Sequence, residues 1–160
     1  MSGLRFAGYA AVFDRPDRAG DIIRKGAFRQ SLTHRASHFP LLWEHEPSDL
    51  IGRIDHIAED ERGLRVIGRL SGRAGPAQRA SALLSAGKVD GLSFGYRVLR
   101  SRSGPWRELL DIELVEVSLV AFPMQPHARV HAVEMPDGGN RPVPPTFKRG
   151  DADADARTTG

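Results

Sequence analysis

Cysteine is absent from the chain. That removes disulfides, thiolate metal sites and a cysteine nucleophile at one stroke, and it suits a reducing compartment. Long apolar runs are also missing. No segment approaches the roughly 18 apolar residues of a membrane span, and residues 1–13 carry Arg5 without the apolar stretch of a signal peptide. No membrane partner is therefore expected. Charge of one sign is not in large excess: 23 Lys and Arg stand against 20 Asp and Glu, a formal net charge of +3. The arginines are scattered and no nucleic-acid motif accompanies them, so no specific nucleic-acid partner is expected. What the chain does have is apolar content, 40% of 160 residues. That is enough for one domain burying roughly two thirds of its unfolded surface without disulfide or structural metal.

Residues 4–13, LRFAGYAAVF, read as a strand, and 14–20 as a polar loop with Pro16 and Gly20. Residues 26–34 have the spacing of a short helix, with Phe28 and Leu32 on one face. An apolar strand begins at Pro40 and runs through Trp43 into Glu44-His45-Glu46, and Pro47-Ser48-Asp49 reads as the following turn. Residues 51–57 and 63–70 alternate well enough to form a hairpin through 58–62. Residues 74–86 predict a helix, with Pro76 in its first turn and Gly87 just past its end. Residues 91–100 are extended, and 109–122 form the most β-prone stretch, ended by Pro123 and Pro126. Beyond residue 134 the composition turns to proline, glycine and Asp-Ala repeats, so a domain over 1–134 and a disordered tail over 135–160 are expected. Helices fall irregularly between strands, without βαβ alternation. The expected class is α+β, with a mainly antiparallel or mixed sheet that could close into a barrel.

Three side chains stand out for chemistry. Ser93 lies in Gly91-Leu92-Ser93-Phe94-Gly95. On a strand it would face away from Leu92, Phe94, Tyr96 and Val98, either as a solvent-facing serine or as a nucleophile that flanking glycines leave approachable. The pattern G-x-S-x-G also occurs at the strand–turn–helix elbow of α/β-hydrolases, but here strand-like sequence continues after the serine. His45, at the end of its apolar strand, is a structural histidine or a general base of near-neutral pKa, with Glu44 and Glu46 on the opposite strand face. Glu116 interrupts the apolar run Leu114-Val115-Glu116-Val117-Ser118-Leu119-Val120, where a buried carboxylate needs an arginine or histidine partner. In a regular strand Ile112, Leu114, Glu116, Ser118 and Val120 would share one face. His34 and His38 are four apart, but Arg35 stands where a zinc-binding H-E-x-x-H needs glutamate, and His127 and His131 read as surface residues. No metal or organic cofactor is expected.

Taken in order, several blocks resemble the prohead protease family of HK97-type tailed phages. They are Gly8-Tyr9-Ala10-Ala11-Val12-Phe13-Asp14, Gly26-Ala27-Phe28, Leu42-Trp43-Glu44-His45-Glu46-Pro47, Ile51-Gly52, Gly63-Leu64, the Ser93 block through Tyr96, and Leu114 through Pro123. The resemblance covers roughly residues 4–131. It implies a fold like that of herpesvirus capsid proteases, a barrel-like sheet flanked by helices. It also implies a serine endopeptidase that works inside the assembling prohead in the host bacterial cytoplasm. Its substrate there would be the major capsid protein or its scaffolding segment, and often the protease itself. By the matching blocks Ser93 is the nucleophile, His45 the general base and Glu116 the third catalytic member. Likeness to herpesvirus-type proteases admits a homodimer. The competing expectation is a non-catalytic capsid scaffold or assembly protein on the same fold.

Overall fold

The computed structural model describes residues 3–34, 39–71, 75–135 and 140–142. Among these the elements run β1 (Arg5–Val12), β2 (Asp21–Ile23), α1 (Arg29–His34), β3 (Phe39–Trp43), β4 (Glu46–Glu59), β5 (Gly63–Leu70), α2 (Pro76–Ser85), β6 (Gly91–Arg102), β7 (Arg107–Val120), β8 (Val130–Glu134) and β9 (Asn140–Pro142). The strands form one sheet in the order β2-β7-β3-β4-β5-β1-β8-β9, with β6 pairing β7 off that path. The pairs β1–β5, β1–β8, β3–β4, β4–β5, β6–β7 and β8–β9 are antiparallel, while β2–β7 and β3–β7 are parallel. The path has two ends, β2 and β9, so the closed barrel left open by the sequence is not formed along it among the described residues. One antiparallel bridge, Gly91 to Arg129, ties the start of β6 to the entry of β8. The Leu92 N–H donates to the Ala128 carbonyl at 2.9 Å beside it.

Local chemistry explains most of these elements. The β4–β5 hairpin turns where the Asp60 carboxylate accepts the N–H groups of Arg62 (2.8 Å) and Gly63 (3.0 Å), an Asx-type closure of the turn. Tyr9 Oη–H donates to the other Asp60 oxygen and so pins that turn to β1. In α2, Ala77, Ala80 and Leu84 are the buried stripe. Gly87, at φ 70°, ends the helix in the left-handed conformation that glycine tolerates. The first helix is shorter than its 26–34 pattern suggests. Residues 25–28 are a turn, because the Glu59 carboxylate accepts the N–H groups of Gly26 (3.1 Å) and Phe28 (3.2 Å) before α1 begins at Arg29.

That turn drives Phe28 into the core, where it is fully buried. Its ring meets Phe94 edge-on at 5.3 Å and Phe13 at 6.5 Å. Phe6, Phe39, Leu41, Ile51, Ile54, Leu64 and Leu92 complete the interior. The far end of the β6–β7 hairpin is tied by Glu108, whose carboxyl is held down at about 2 by hydrogen bonds from Arg102 and Arg24. Of the expected tail, Met135 packs against the core and β9 pairs with β8; residues 136–139 and 143–160 lie outside the described residues.

Because Phe94 precedes Gly95 and follows Ser93 on β6, the Phe28 ring supports the strand that carries the serine. Phe28→Ala is expected to lower folding stability by about 3–5 kcal/mol through a cavity under β6. Urea denaturation of the variant, with an unchanged m-value, checks it.

Candidate active site

The sequence places His45 on a strand before a turn at 47–49; the structure reverses this. Trp43 pairs directly with Glu46, so Glu44 and His45 are themselves the two-residue turn, and Pro47, Ser48 and Asp49 lie within β4. Both turn residues have positive φ, 51° and 61°. Such turns match the twist of the flanking strands but normally use Asn-Gly or Asp-Gly. Non-glycine residues in this region cost on the order of 1–3 kcal/mol each unless surroundings enforce them. Here three hydrogen bonds to β7 and its continuation do so. The Glu44 N–H donates to the Leu119 carbonyl (3.1 Å), the His45 N–H to Ser118 Oγ (3.1 Å), and the Ala121 N–H to Glu44 Oε1 (2.6 Å).

The other half of the site comes from the β6–β7 hairpin. Ser93 stands opposite Ser118, and Gly95 opposite Glu116. Directly opposed residues share a sheet face, so these four lie together, while Leu92 and Phe94 face the core. The next pair is Tyr96 with Leu114, which leaves Val115 as an extra residue in β7. This β-bulge corrects the regular-strand expectation. Glu116 and Ser118 share a face, but Leu114 and Ile112 have been switched to the core side. An uninterrupted strand would bury the carboxylate with the leucine; the bulge re-aims it.

Glu116 is only 7% exposed, and its partner is a histidine. Oε1 accepts from His45 Nδ1 at 2.6 Å, and Oε2 accepts from Ser118 Oγ at 2.7 Å. A carboxylate can only accept, which assigns the ring proton to Nδ1 and leaves Nε2 with its lone pair. Gly95 makes the approach possible, since a Cβ there would sit 2.3 Å from Glu116 Oε1. The hydrogen bond to Glu116 raises the His45 pKa above its ordinary value; partial burial opposes this, and the charges of Glu116 and Glu44 add to it. Ser93 is nearly buried, inside β6 with strand on both sides, so no nucleophile elbow is present. Among the described residues its Oγ is not hydrogen-bonded to the imidazole. Ser118 was visible in sequence only as a neighbour two positions from Glu116; its bonds to both His45 and Glu116 had no local signal.

The other histidines stand apart from this couple. His127 Nε2 lies 3.1 Å from Arg15 Nη1. His131 stacks at a tilt on Tyr9 with ring centres 5.9 Å apart, and burial, with Arg65 and Arg62 nearby, lowers its pKa. His34 ends α1, and His38 lies outside the described residues. Among the described residues no three His, Asp or Glu side chains converge as metal ligands, and no helix is long and apolar enough to cross a membrane.

The family model described as caudovirus prohead serine protease matches residues 2–137. The prohead protease of Enterobacteria phage HK97 is 34% identical over 138 residues, which is 83% of this chain. The chain spans 61% of that relative's length. Among solved structures, the capsid assembly protease of bacteriophage T4 superposes with a TM-score of 0.61 at 15% identity, over 74% of this chain and 81% of that one. The varicella-zoster virus protease gives 0.54 at 17% identity, over 80% and 63%. The KSHV protease bound to a hexapeptide phosphonate inhibitor gives 0.53 at 18% identity, over 80% and 64%. At these identities the structural likeness is one of fold.

A pH dependence of stability follows from the His45–Glu116 bond. A histidine whose pKa is higher in the folded than in the unfolded chain stabilises the fold fully below its ordinary value of 6.5, and loses that contribution as pH rises through the raised value. Glu116→Gln removes the cause of the rise. The melting-temperature gap between wild type and Glu116→Gln is therefore expected to be wider at about pH 6 than at about pH 9. A gap that does not change with pH would show that the pair is not ionic.

Proposed function

The chain belongs to the caudovirus prohead serine protease family, and we propose that it is a serine endopeptidase that trims a capsid or scaffold protein inside the assembling prohead, in the bacterial host cytoplasm. Its own chain is a second candidate substrate. The observation that carries this is the 2.6 Å bond from His45 Nδ1 to Glu116 Oε1 on the sheet face that also bears Ser93. In this reading Ser93 is the nucleophile, His45 the general base and Glu116 the orienting acid. Three features support it: the register that groups Ser93 with Glu116, the space left by Gly95, and the raised pKa of an imidazole that is to hold a proton during the reaction. A protease domain over 1–134, carried on by the pairing of β9 with β8 up to residue 142, and a barrel-like wrapping of the sheet belong to the same proposal; the Gly91–Arg129 bridge favours the wrapping.

The chemistry is acyl transfer. A serine hydroxyl attacks a peptide carbonyl only when a base takes its proton. Nε2 would accept that proton from Ser93 Oγ as the C–O bond forms. Glu116 keeps Nδ1 protonated and stabilises the imidazolium. The proton then passes to the leaving amine as the C–N bond breaks, and water hydrolyses the acyl-serine by the same steps. The Ser93–His45 hydrogen bond is expected to form with substrate in place, because catalytic bonds tighten in the Michaelis complex.

Co-expression with the capsid protein, read by intact mass, tests the assignment. Ser93→Ala and His45→Ala are each expected to reduce processing by about 10⁴-fold or more with the fold retained. His127→Ala is expected to process normally. A serine-directed fluorophosphonate should label wild type and not Ser93→Ala. A folded wild-type chain that neither labels nor cuts would instead support a capsid scaffold or assembly protein on this fold.

A further inference from the structure

We propose that Ser118 is the positioning residue of this site, its single hydroxyl tying the backbone of the base to the carboxylate that orients the base. The inference rests on the assignment of His45 and Glu116 above. Ser118 is completely buried on β7, with Val117 and Leu119 beside it and Leu42 in register on β3. A buried hydroxyl in apolar surroundings is costly unless hydrogen-bonded, and this one uses both its capacities. Its oxygen accepts the His45 N–H at 3.1 Å, and its proton goes to Glu116 Oε2 at 2.7 Å.

The direction of both bonds is forced. A peptide N–H can only donate, so the hydroxyl oxygen must be the acceptor there; the carboxylate can only accept, so it must receive the hydroxyl proton. With the Nδ1 contact to Glu116 Oε1 at 2.6 Å, the three bonds close a ring. It runs from the His45 backbone through Ser118 and Glu116 to the His45 imidazole. The base is thereby held at two points: its main chain in a left-handed turn and its ring through the carboxylate. Ser118 itself touches no reacting atom. Among the described residues, the charges that act on the imidazole are those of Glu116, in contact with it from β7, and of Glu44 in the turn. Ser118 fixes the first of these directly and lies one residue from Leu119, whose carbonyl accepts the Glu44 N–H.

The test uses the full chain with Ser118→Ala, Ser118→Thr and Ser118→Cys. Ser118→Ala is expected to lower kcat about 10- to 100-fold, part of the roughly 10²–10⁴-fold that general-base catalysis supplies, with KM changed little. Ser118→Thr, which keeps the hydroxyl, should recover most of that loss. Independently of turnover, the imidazole of His45 is titrated by NMR in Ser93→Ala and in Ser93→Ala/Ser118→Ala. Its pKa is expected to fall toward the ordinary histidine value when the hydroxyl is removed. If Ser118→Ala does not fold, Ser118→Cys, close in volume and a weak hydrogen-bond former, carries the same expectation. An unchanged titration and unchanged kcat in a folded but less stable variant would overturn the proposal and make Ser118 a packing residue. If the wild-type chain proves to have no peptidase activity, the endopeptidase reading fails, while the titration still decides whether Ser118 couples the pair.

Discussion

A nearly buried carboxylate governs the arrangement of this molecule around its site. Left unpaired, the Glu116 side chain would cost several kcal/mol in lost hydration. Each unusual feature nearby answers that cost. The bulge at Val115 turns the carboxylate away from the leucine-lined core, and Gly95 gives it room where any Cβ would collide. Ser118 and the His45 ring each donate to one of its oxygens. The charge is accommodated by design at one spot on the sheet, and the histidine that satisfies it is thereby aimed.

The second constraint is the strain of the Glu44–His45 turn. Two adjacent non-glycine residues at positive φ do not persist in isolation. The turn is held because its donors and its one carboxylate meet β7 and the Ala121 N–H, and those contacts exist only when β3 lies parallel to β7 with Leu41 to Trp43 beside Val117 to Leu119. Strain and site geometry are therefore coupled. The same parallel pairing that forces the turn also delivers the imidazole to Glu116.

Much of this was legible in sequence, for identifiable reasons. The 51–57 and 63–70 alternation, the Pro76 and Gly87 helix limits and the apolar face of Leu92 and Phe94 are local signals, and the structure has each of these elements. So was the need of Glu116 for a partner, since a carboxylate inside an apolar strand is costly wherever it occurs. Three things were not legible. The bulge at Val115 depends on how β6 pairs with β7, and nothing in Leu114-Val115-Glu116 announces an extra residue. The turn at Glu44–His45 carries neither Gly nor Asn, so turn chemistry pointed to Pro47-Ser48-Asp49 instead. The parallel contact of β3 with β7 joins segments more than 70 residues apart, as the separation of 71 between His45 and Glu116 records.

That separation also divides the site between two hairpins with different mechanical characters. β6 and β7 carry Ser93, Gly95, Glu116 and Ser118 in one continuous ladder, so their mutual spacing is fixed by backbone hydrogen bonds at every second residue. His45 arrives from outside that ladder, on a turn that belongs to β3 and β4, and only three parallel residue pairs join β3 to β7. Ser93 and Glu116 are thus rigid with respect to each other, whereas His45 is located by side-chain bonds and a short parallel seam. Parallel pairing is slightly weaker per residue than antiparallel pairing. The vulnerable coordinate of this site is accordingly the placement of the histidine. It is there that the buried hydroxyl of Ser118 and the carboxylate of Glu44 supply the bonds that the sheet alone does not.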